Sequence, residues 1–296
     1  MEDLRNQFTV KLICRVIKIT AASYYRWVKR KKPASKFIFD ENFAINIKNI
    51  YKSENGKYGY PRICIVLNNA GTICSKTKVY RYMKLLCLHS VIRIKKMNRK
   101  PKEKKNTKSG AVNIANRQWS IFQNNELWVT DVTYIPIKNQ KFKWVYLSVI
   151  KDACSGFIVS HEISINNDLN IYRNSLKKAE HYRDSQQKTI IHSDNGVQYT
   201  SYFARQYAKK NNFIISLSRP GNSLDNAMCE TFFSSLKSET PKLLLQSNFE
   251  DLVKMINEYI NYYNYERVML KHKGPPCYKY LKTKKSISEN WLFVNL

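Results

Sequence analysis

Three carboxylates stand where their neighbours argue against a carboxylate. Asp131 interrupts Trp128-Val-Thr-Asp-Val-Thr-Tyr-Ile135, a run otherwise suited to the interior of a strand. Left unpaired there, it costs several kcal/mol or takes up a proton, so something must compensate it. Asp194 closes Thr189-Ile-Ile-His-Ser193 and is followed by the tight turn Asn195-Gly196; functional groups of open α/β sheets collect at such strand ends. Glu230 lies in Asn226-Ala-Met-Cys-Glu-Thr-Phe-Phe233, a helical run with apolar neighbours. Converging on one sheet edge, the three make a hard, oxygen-rich site for Mg²⁺, with Mn²⁺ as a substitute, and not for zinc. Two such ions, about 3.5–4 Å apart, clamp the attacking and leaving oxygens of an in-line phosphoryl transfer. Taken singly, each acid also has a plainer reading, as a cap or as the partner of a surplus lysine. Asp152, after Val149-Ile-Lys151, reads as a strand-end residue beside the site.

The elements that must carry these residues can be read from periodicity. Runs 127–136, 142–153 and 157–163 are rich in Val, Ile, Tyr, Phe and Trp, and predict three antiparallel strands. A helix (169–183), a strand (188–194), a helix (201–211), a strand (212–218) and a helix from Ser223 follow, which makes a mixed five-stranded sheet with helices on its faces. Ser247-Asn-Phe-Glu250 reads as a capping box, opening a helix with Leu252, Val253, Ile256, Tyr259, Ile260 and Tyr263 on one stripe. Upstream the pattern is helical: 10–17, 21–31 and 42–51, then a helix with Pro61 at its first position, and one capped by Ser75. Across the turn at Gly71, Ile63, Val66 and Leu67 would face Val79, Tyr82, Met83 and Leu86, with Lys76, Lys78 and Arg81 off that face. This is helix-turn-helix geometry, able to enter a major groove, and equally a plain helical hairpin.

The 296 residues carry a net charge of +29, which favours a polyanionic partner. Nine Lys and Arg, among them Arg99 and Lys100, crowd residues 93–108. That stretch reads either as a solvated linker or as a basic arm along phosphates. Seven cysteines with no CxxC pair, most among apolar neighbours, read as reduced core thiols. With no secretory signal and no membrane-length apolar run, the expectation is a soluble cytoplasmic protein without a membrane partner.

Lys237 stands seven residues beyond Glu230, two helical turns along the same face, with Ser234 between and Asn226 one turn earlier. Here the motifs become specific. Trp128-x-x-Asp131-x-Thr133-Tyr134, then His192-Ser-Asp194-Asn-Gly-x-Gln-Tyr199, then Asp225-Asn226-Ala-x-x-Glu230-x-Phe-Phe-x-x-Leu-Lys237-x-Glu239 occur in order. Tyr259-Ile-x-x-Tyr-Asn264-x-x-Arg267 and Lys273-Gly-Pro-Pro276 follow, and Tyr58-Gly-Tyr-x-Arg62-Ile and Ser23-Tyr-Tyr25-x-Trp27 precede. Together they resemble the DDE transposases of bacterial insertion sequences, the insertion-sequence-three family, whose catalytic domain is similar to retroviral integrase. Gly156 departs from the family, which usually has Arg after Asp152-x-x-Ser155.

The resemblance implies an RNase H-like α/β core over residues 119–240. A helix-turn-helix region (1–92) and a basic linker (93–118) would precede it, and a helical tail (241–296) would follow. It implies a transposase that nicks 3′ ends of an insertion sequence and transfers the strand, with Asp131, Asp194 and Glu230 holding two Mg²⁺ ions and no covalent protein–DNA intermediate. Lys237 and Asn226 would touch DNA near the cut, with Lys76, Lys78, Arg81, Arg99 and Lys100 as further contacts. Lys237 also fits a plain exposed helix lysine, and His192 a packed strand histidine rather than a residue supporting the site. The expected partners are double-stranded DNA, further copies of the chain and a product of an upstream reading frame. That product would carry the family's separate helix-turn-helix and zipper, which this chain lacks; the setting is the bacterial nucleoid. Two rival readings are a DNA-binding repressor without catalysis and a stand-alone RNase H-like nuclease.

Overall fold

The computed structural model describes residues 7–30, 39–92, 113–117, 119, 121–138, 141–184, 186–219 and 223–282. The basic stretch 93–108, with Arg99 and Lys100, lies outside the described residues. The chain divides into two compact units, Met1–Asn46 and Ile47–Leu296.

The first unit holds α1 (Val10–Val16), α2 (Ala21–Arg30) and the start of α3 (Glu41–Ser53). Thr9 caps α1 by accepting from the Leu12 amide, and Thr20 accepts from the Ser23 amide at the head of α2.

In the second unit, α4 (Tyr60–Asn69) and α5 (Lys76–Leu85) form the expected helical pair. Gly59 takes the cap and Tyr60 the first helical place, so Pro61 sits one residue deeper than predicted. Either place suits it, since neither needs an N–H. Ser75 caps α5 through the Lys78 amide at 3.1 Å, as expected. Ile63, Cys64, Ile65 and Leu67 are buried, as are Val79, Tyr82 and Met83. The Asn68 side chain pins the intervening turn, giving to Cys64 O and Cys74 O and accepting from Cys74 N. Gly71 turns there at φ +85°, a conformation open to glycine at little cost.

Five strands follow: β1 (Leu127–Pro136), β2 (Trp144–Asp152), β3 (Ile158–Ser164), β4 (Thr189–Ser193) and β5 (Phe213–Leu217). Their order is β3-β2-β1-β4-β5; β1 runs antiparallel to β2 and parallel to β4, and β5 is parallel to β4. This is the mixed sheet of an RNase H-like fold. Its helices are α6 (Leu169–Glu180), α7 (Val197–Thr200), α8 (Tyr202–Lys210), α9 (Ala227–Glu239), α10 (Phe249–Tyr265) and α11 (Pro276–Lys282). Alternation along β1 and β2 sends Leu127, Val129, Val145, Leu147 and Val149 into one core with Phe232 and Leu236 of α9 and Leu252, Ile256 and Ile260 of α10. Trp128, Ile150 and Ile191 enter a second core with α6 and α8.

Three local expectations shift. α6 stops at Glu180 rather than reaching Arg183, whose guanidinium instead gives to Gln187 O and Asn211 O over the Phe213 ring. Asn248, not Ser247, caps α10, accepting from the Glu250 amide at 3.0 Å; asparagine is at least as good a cap as serine. A 3₁₀ turn, Ser223–Asn226, precedes α9.

Candidate active site

The site is set by register. β1 and β4 pair in parallel with Val129 opposite His192. Asp131 lies two residues beyond Val129 and Asp194 two beyond His192, just past the end of that ladder, and the charge of Asp194 reaches the Asp131 carboxyl. Alternation also puts Asp131 and Thr133 on the same face as Leu127, Val129 and Ile135, the face covered by α9. Glu230 occupies the first turn of that helix. Asp131 is half-buried, and Asp194 and Glu230 are exposed.

Electrostatics ties the three together. Burial raises the Asp131 carboxyl, the charge of Asp194 adds to it, and Glu230 contributes further; a hydrogen bond from the Val132 amide opposes them, and the result is a pKa of about 7. Burial also raises Glu230. Tyr199, buried beneath, is pushed up by burial and then by the charges of Asp131 and Asp194. Among the described residues no lysine or arginine forms an ion pair with any of the three. In a chain of +29, this leaves an all-oxygen, uncompensated anionic patch, which is the donor chemistry of a hard divalent cation. The side chains are not closed around a point: among the described residues no three or more His, Cys, Asp or Glu are grouped to hold an ion. One oxygen of Asp131 and one of Asp194 accept instead from the amides of Val132 and Gly196, each at 2.9 Å.

The remaining candidates separate. Lys237 is half-buried, and its ammonium gives to Thr133 Oγ1 at 2.9 Å and Tyr134 O at 3.0 Å, tying α9 to β1. A lysine has three donors, so one is left for a ligand. Asn226 is only 4% exposed, and its amide gives to Thr130 O, so here it docks the start of α9 on β1 instead of facing outward. Lys76, Lys78 and Arg81 are exposed on α5. Asp152 is fully buried and organises a turn, accepting from Asn125 N, Ser155 N and Ser155 Oγ. His192 is buried and its pKa is lowered by burial. Its Nε2–H gives to Asp225 O while Nδ1 accepts from Ser216, the arrangement of a neutral, packed histidine.

Sequence reasoning passed over three supports. Lys151, 3% exposed on β2, gives to Met228 O and to the Tyr263 hydroxyl, both at 3.1 Å, and so holds the first turn of α9. Asp225 accepts three bonds from Arg219, two from its guanidinium and one from its amide, and one each from Arg117 and Asn113. Arg219 chiefly, then Arg117, hold its carboxyl well below the usual range in spite of burial. At the far end of α9, Glu239 accepts two bonds from Arg267 (2.8 and 2.6 Å) and one from Tyr259. Lys151 gave no signal beyond a charged residue in an apolar run, whereas Asp225, Glu239 and Arg267 stand in the quoted motifs without a role assigned to them.

Family models described as an integrase core domain match residues 123–223 and, in a second part, 230–282; an HTH-like domain matches 39–96. The InsK protein of insertion sequence element IS150 in Escherichia coli is 31% identical over 93% of this chain and 94% of its own. The transposase for insertion sequence element IS904 of Lactococcus lactis is 31% identical over 83% of this chain and 96% of its own. Among solved structures, the HTLV-2 integrase catalytic core domain in complex with magnesium aligns with a TM-score of 0.44 and 19% identity, over 54% of this chain and 98% of that one. The molecule is of the integrase-core class, a DDE polynucleotidyl transferase preceded by an HTH-like segment. Within that class, the chain belongs to the transposases of bacterial insertion sequences.

Proposed function

We propose that Asp131, Asp194 and Glu230 are the catalytic acids of this transposase, and that they hold divalent cations, Mg²⁺ or Mn²⁺. The observation that carries the reading is the placement of Asp131 and Asp194 just past the Val129–His192 pair of the β1–β4 ladder, with the Glu230 charge reaching the Asp131 carboxyl and, among the described residues, no lysine or arginine in an ion pair with the three. Divalent cations held by these three carboxylates would supply Lewis-acid chemistry, activating the attacking oxygen and stabilising the leaving one.

The chain's own groups do the rest. Asp194 and Glu230 offer exposed oxygens at the mouth, with Asp131 behind them. Lys237 brings a positive charge to the same edge, where it meets a phosphate beside the scissile bond. Lys151 and Asn226 hold the start of α9, and so Glu230, against β1 and β2. Water attacks first, to free a 3′ hydroxyl, and that hydroxyl then attacks target DNA, so both steps use one set of carboxylates.

Double-stranded DNA is the substrate, with α5 and its Lys76, Lys78 and Arg81 supplying a second contact surface. Residues 119–240 act as the catalytic core, several copies act together on DNA, with an upstream-frame product as a further partner, and the setting is the bacterial cytoplasm. Among the described residues no helix is long and apolar enough to cross a membrane.

The test is an assay on labelled element ends with Mg²⁺ and with chelator. Metal-dependent nicks followed by joined products support the reading. Hydrolysis without joining, above all of RNA–DNA hybrids, points to a nuclease, and DNA binding without any cut points to a repressor.

A further inference from the structure

Tyr134 and Trp144 are large aromatics left in the open beside the site. Tyr134 is 58% exposed and Trp144 42% exposed. Their rings touch edge to face, 5.0 Å between centroids at 81°. Tyr134 lies three residues beyond Asp131 on β1, about 10 Å at the usual strand rise, and alternation puts its ring on the other face of the sheet from the Asp131 carboxylate. The Lys237 ammonium lies 5.3 Å from the Tyr134 ring centroid and donates to the Tyr134 carbonyl. Between Val132 and Lys151 the chain has no Asp or Glu, while Lys138, Lys141 and Lys143 are exposed around the aromatic pair.

We infer that Tyr134 and Trp144 form a stacking site for an unpaired nucleobase of the DNA end, a few nucleotides from the bond cut at Asp131 and Asp194. Exposed aromatic faces among lysines are what single-stranded nucleic acid recognises: bases stack on the rings and phosphates meet the ammonium groups. Bases in a duplex already stack on one another, so the ring faces serve a frayed or splayed strand. Lys237 links the two regions: its ammonium bonds the hydroxyl of Thr133, two residues from Asp131 on β1, and lies over the Tyr134 ring. The inference rests on the proposed function, because it places the DNA end on this edge.

The experiment compares two DNAs with the full chain: an element end fully paired, and the same end with its last bases unpaired and one replaced by 2-aminopurine. The wild type is expected to bind the splayed end more tightly and to quench the 2-aminopurine emission. Tyr134→Ala and Trp144→Ala each lose that preference, a drop of roughly five- to a hundredfold for the splayed end, with affinity for the paired end unchanged. Tyr134→Phe and Trp144→Phe keep most of it, which separates stacking from misfolding. Equal binding of both DNAs by the wild type, equal weakening of both by the alanine variants, or unchanged emission overturns the inference. Nicking in Mg²⁺ is followed in parallel. A wild type that stacks the splayed base but never nicks breaks the proposed function and leaves the stacking site standing; nicking without stacking does the reverse.

Discussion

The ammonium of Lys237 gives a hydrogen bond to the hydroxyl of Thr133 across 2.9 Å, and the two residues belong to the elements that carry Glu230 and Asp131. Thr133 is two residues from Asp131 on the same face of β1; Lys237 is two turns from Glu230 on α9. The bond therefore sets how the glutamate helix lies along the aspartate strand. With Asn226 on Thr130 O and Lys151 on Met228 O, α9 is held at both ends.

A double-mutant cycle measures that bond. Thr133→Val and Lys237→Met, separately and together, are expected to show a coupling of about 0.5–1.5 kcal/mol in urea unfolding. Lys237→Met also lowers nicking roughly tenfold, the cost of about one charged hydrogen bond to phosphate. Additive effects in the cycle would show that the contact does not hold in solution.

Without divalent metal, Asp131 makes stability depend on pH. Its carboxyl titrates near 7 in the fold and near 3.9 unfolded, so the folded state keeps a proton that the unfolded state gives up. The contribution is fully present below pH about 4 and is lost as pH rises through about 7, by about 2–4 kcal/mol. Asp131→Asn removes this slope, so in EDTA the variant gains on the wild type between pH 5 and 8. Parallel pH profiles for the two proteins contradict the assignment.

Glu239 and Arg267 are both buried, with side-chain exposures of 0% and 3%. Burial raises the Glu239 carboxyl, yet the bonds and charge of Arg267, the charge of Arg62 and the Tyr259 hydroxyl outweigh it and hold the pKa below the usual range. Glu239→Gln leaves Arg267 as an uncompensated buried cation, and is expected to cost about 3–5 kcal/mol in urea unfolding. A loss below about 1 kcal/mol, the range of exposed pairs, would show that water reaches this pair.

Lys151→Met keeps the aliphatic stem but frees Met228 O and the Tyr263 hydroxyl. The expected cost is about 1–3 kcal/mol for the unsatisfied carbonyl, with Mg²⁺-dependent nicking falling further than stability explains, because the first turn of α9 carries Glu230. Nicking that tracks the folded fraction alone would make Lys151 a packing residue only.

Much of this was legible in the sequence for identifiable reasons. β1 was readable to the residue because β-branched and aromatic side chains alternate through it, and the same pattern made Asp131 conspicuous. The burial of Asn226 was not legible because counting back from Glu230 assumes a continuous α-helix, whereas residues 223–226 form a 3₁₀ turn and the Asn226 amide bonds Thr130 O. Lys151 was invisible because a lysine beside an aspartate at a strand end looks like a solvated pair; only the packing of Tyr263 and Phe232 over it reveals a buried cation. Helix α7 was missed since Asn195-Gly196 reads as a turn running straight to the Ser201 cap.

The central claim is that one set of three carboxylates performs both cutting and joining. Asp194→Asn changes one exposed side chain and leaves the Lys- and Arg-bearing surfaces intact. Measured on labelled element ends with Mg²⁺, the variant should bind DNA within about twofold of wild type, a difference of roughly 0.4 kcal/mol, and yield neither nicked nor joined product. Joined product from pre-nicked DNA with the Asp194→Asn protein would contradict the account.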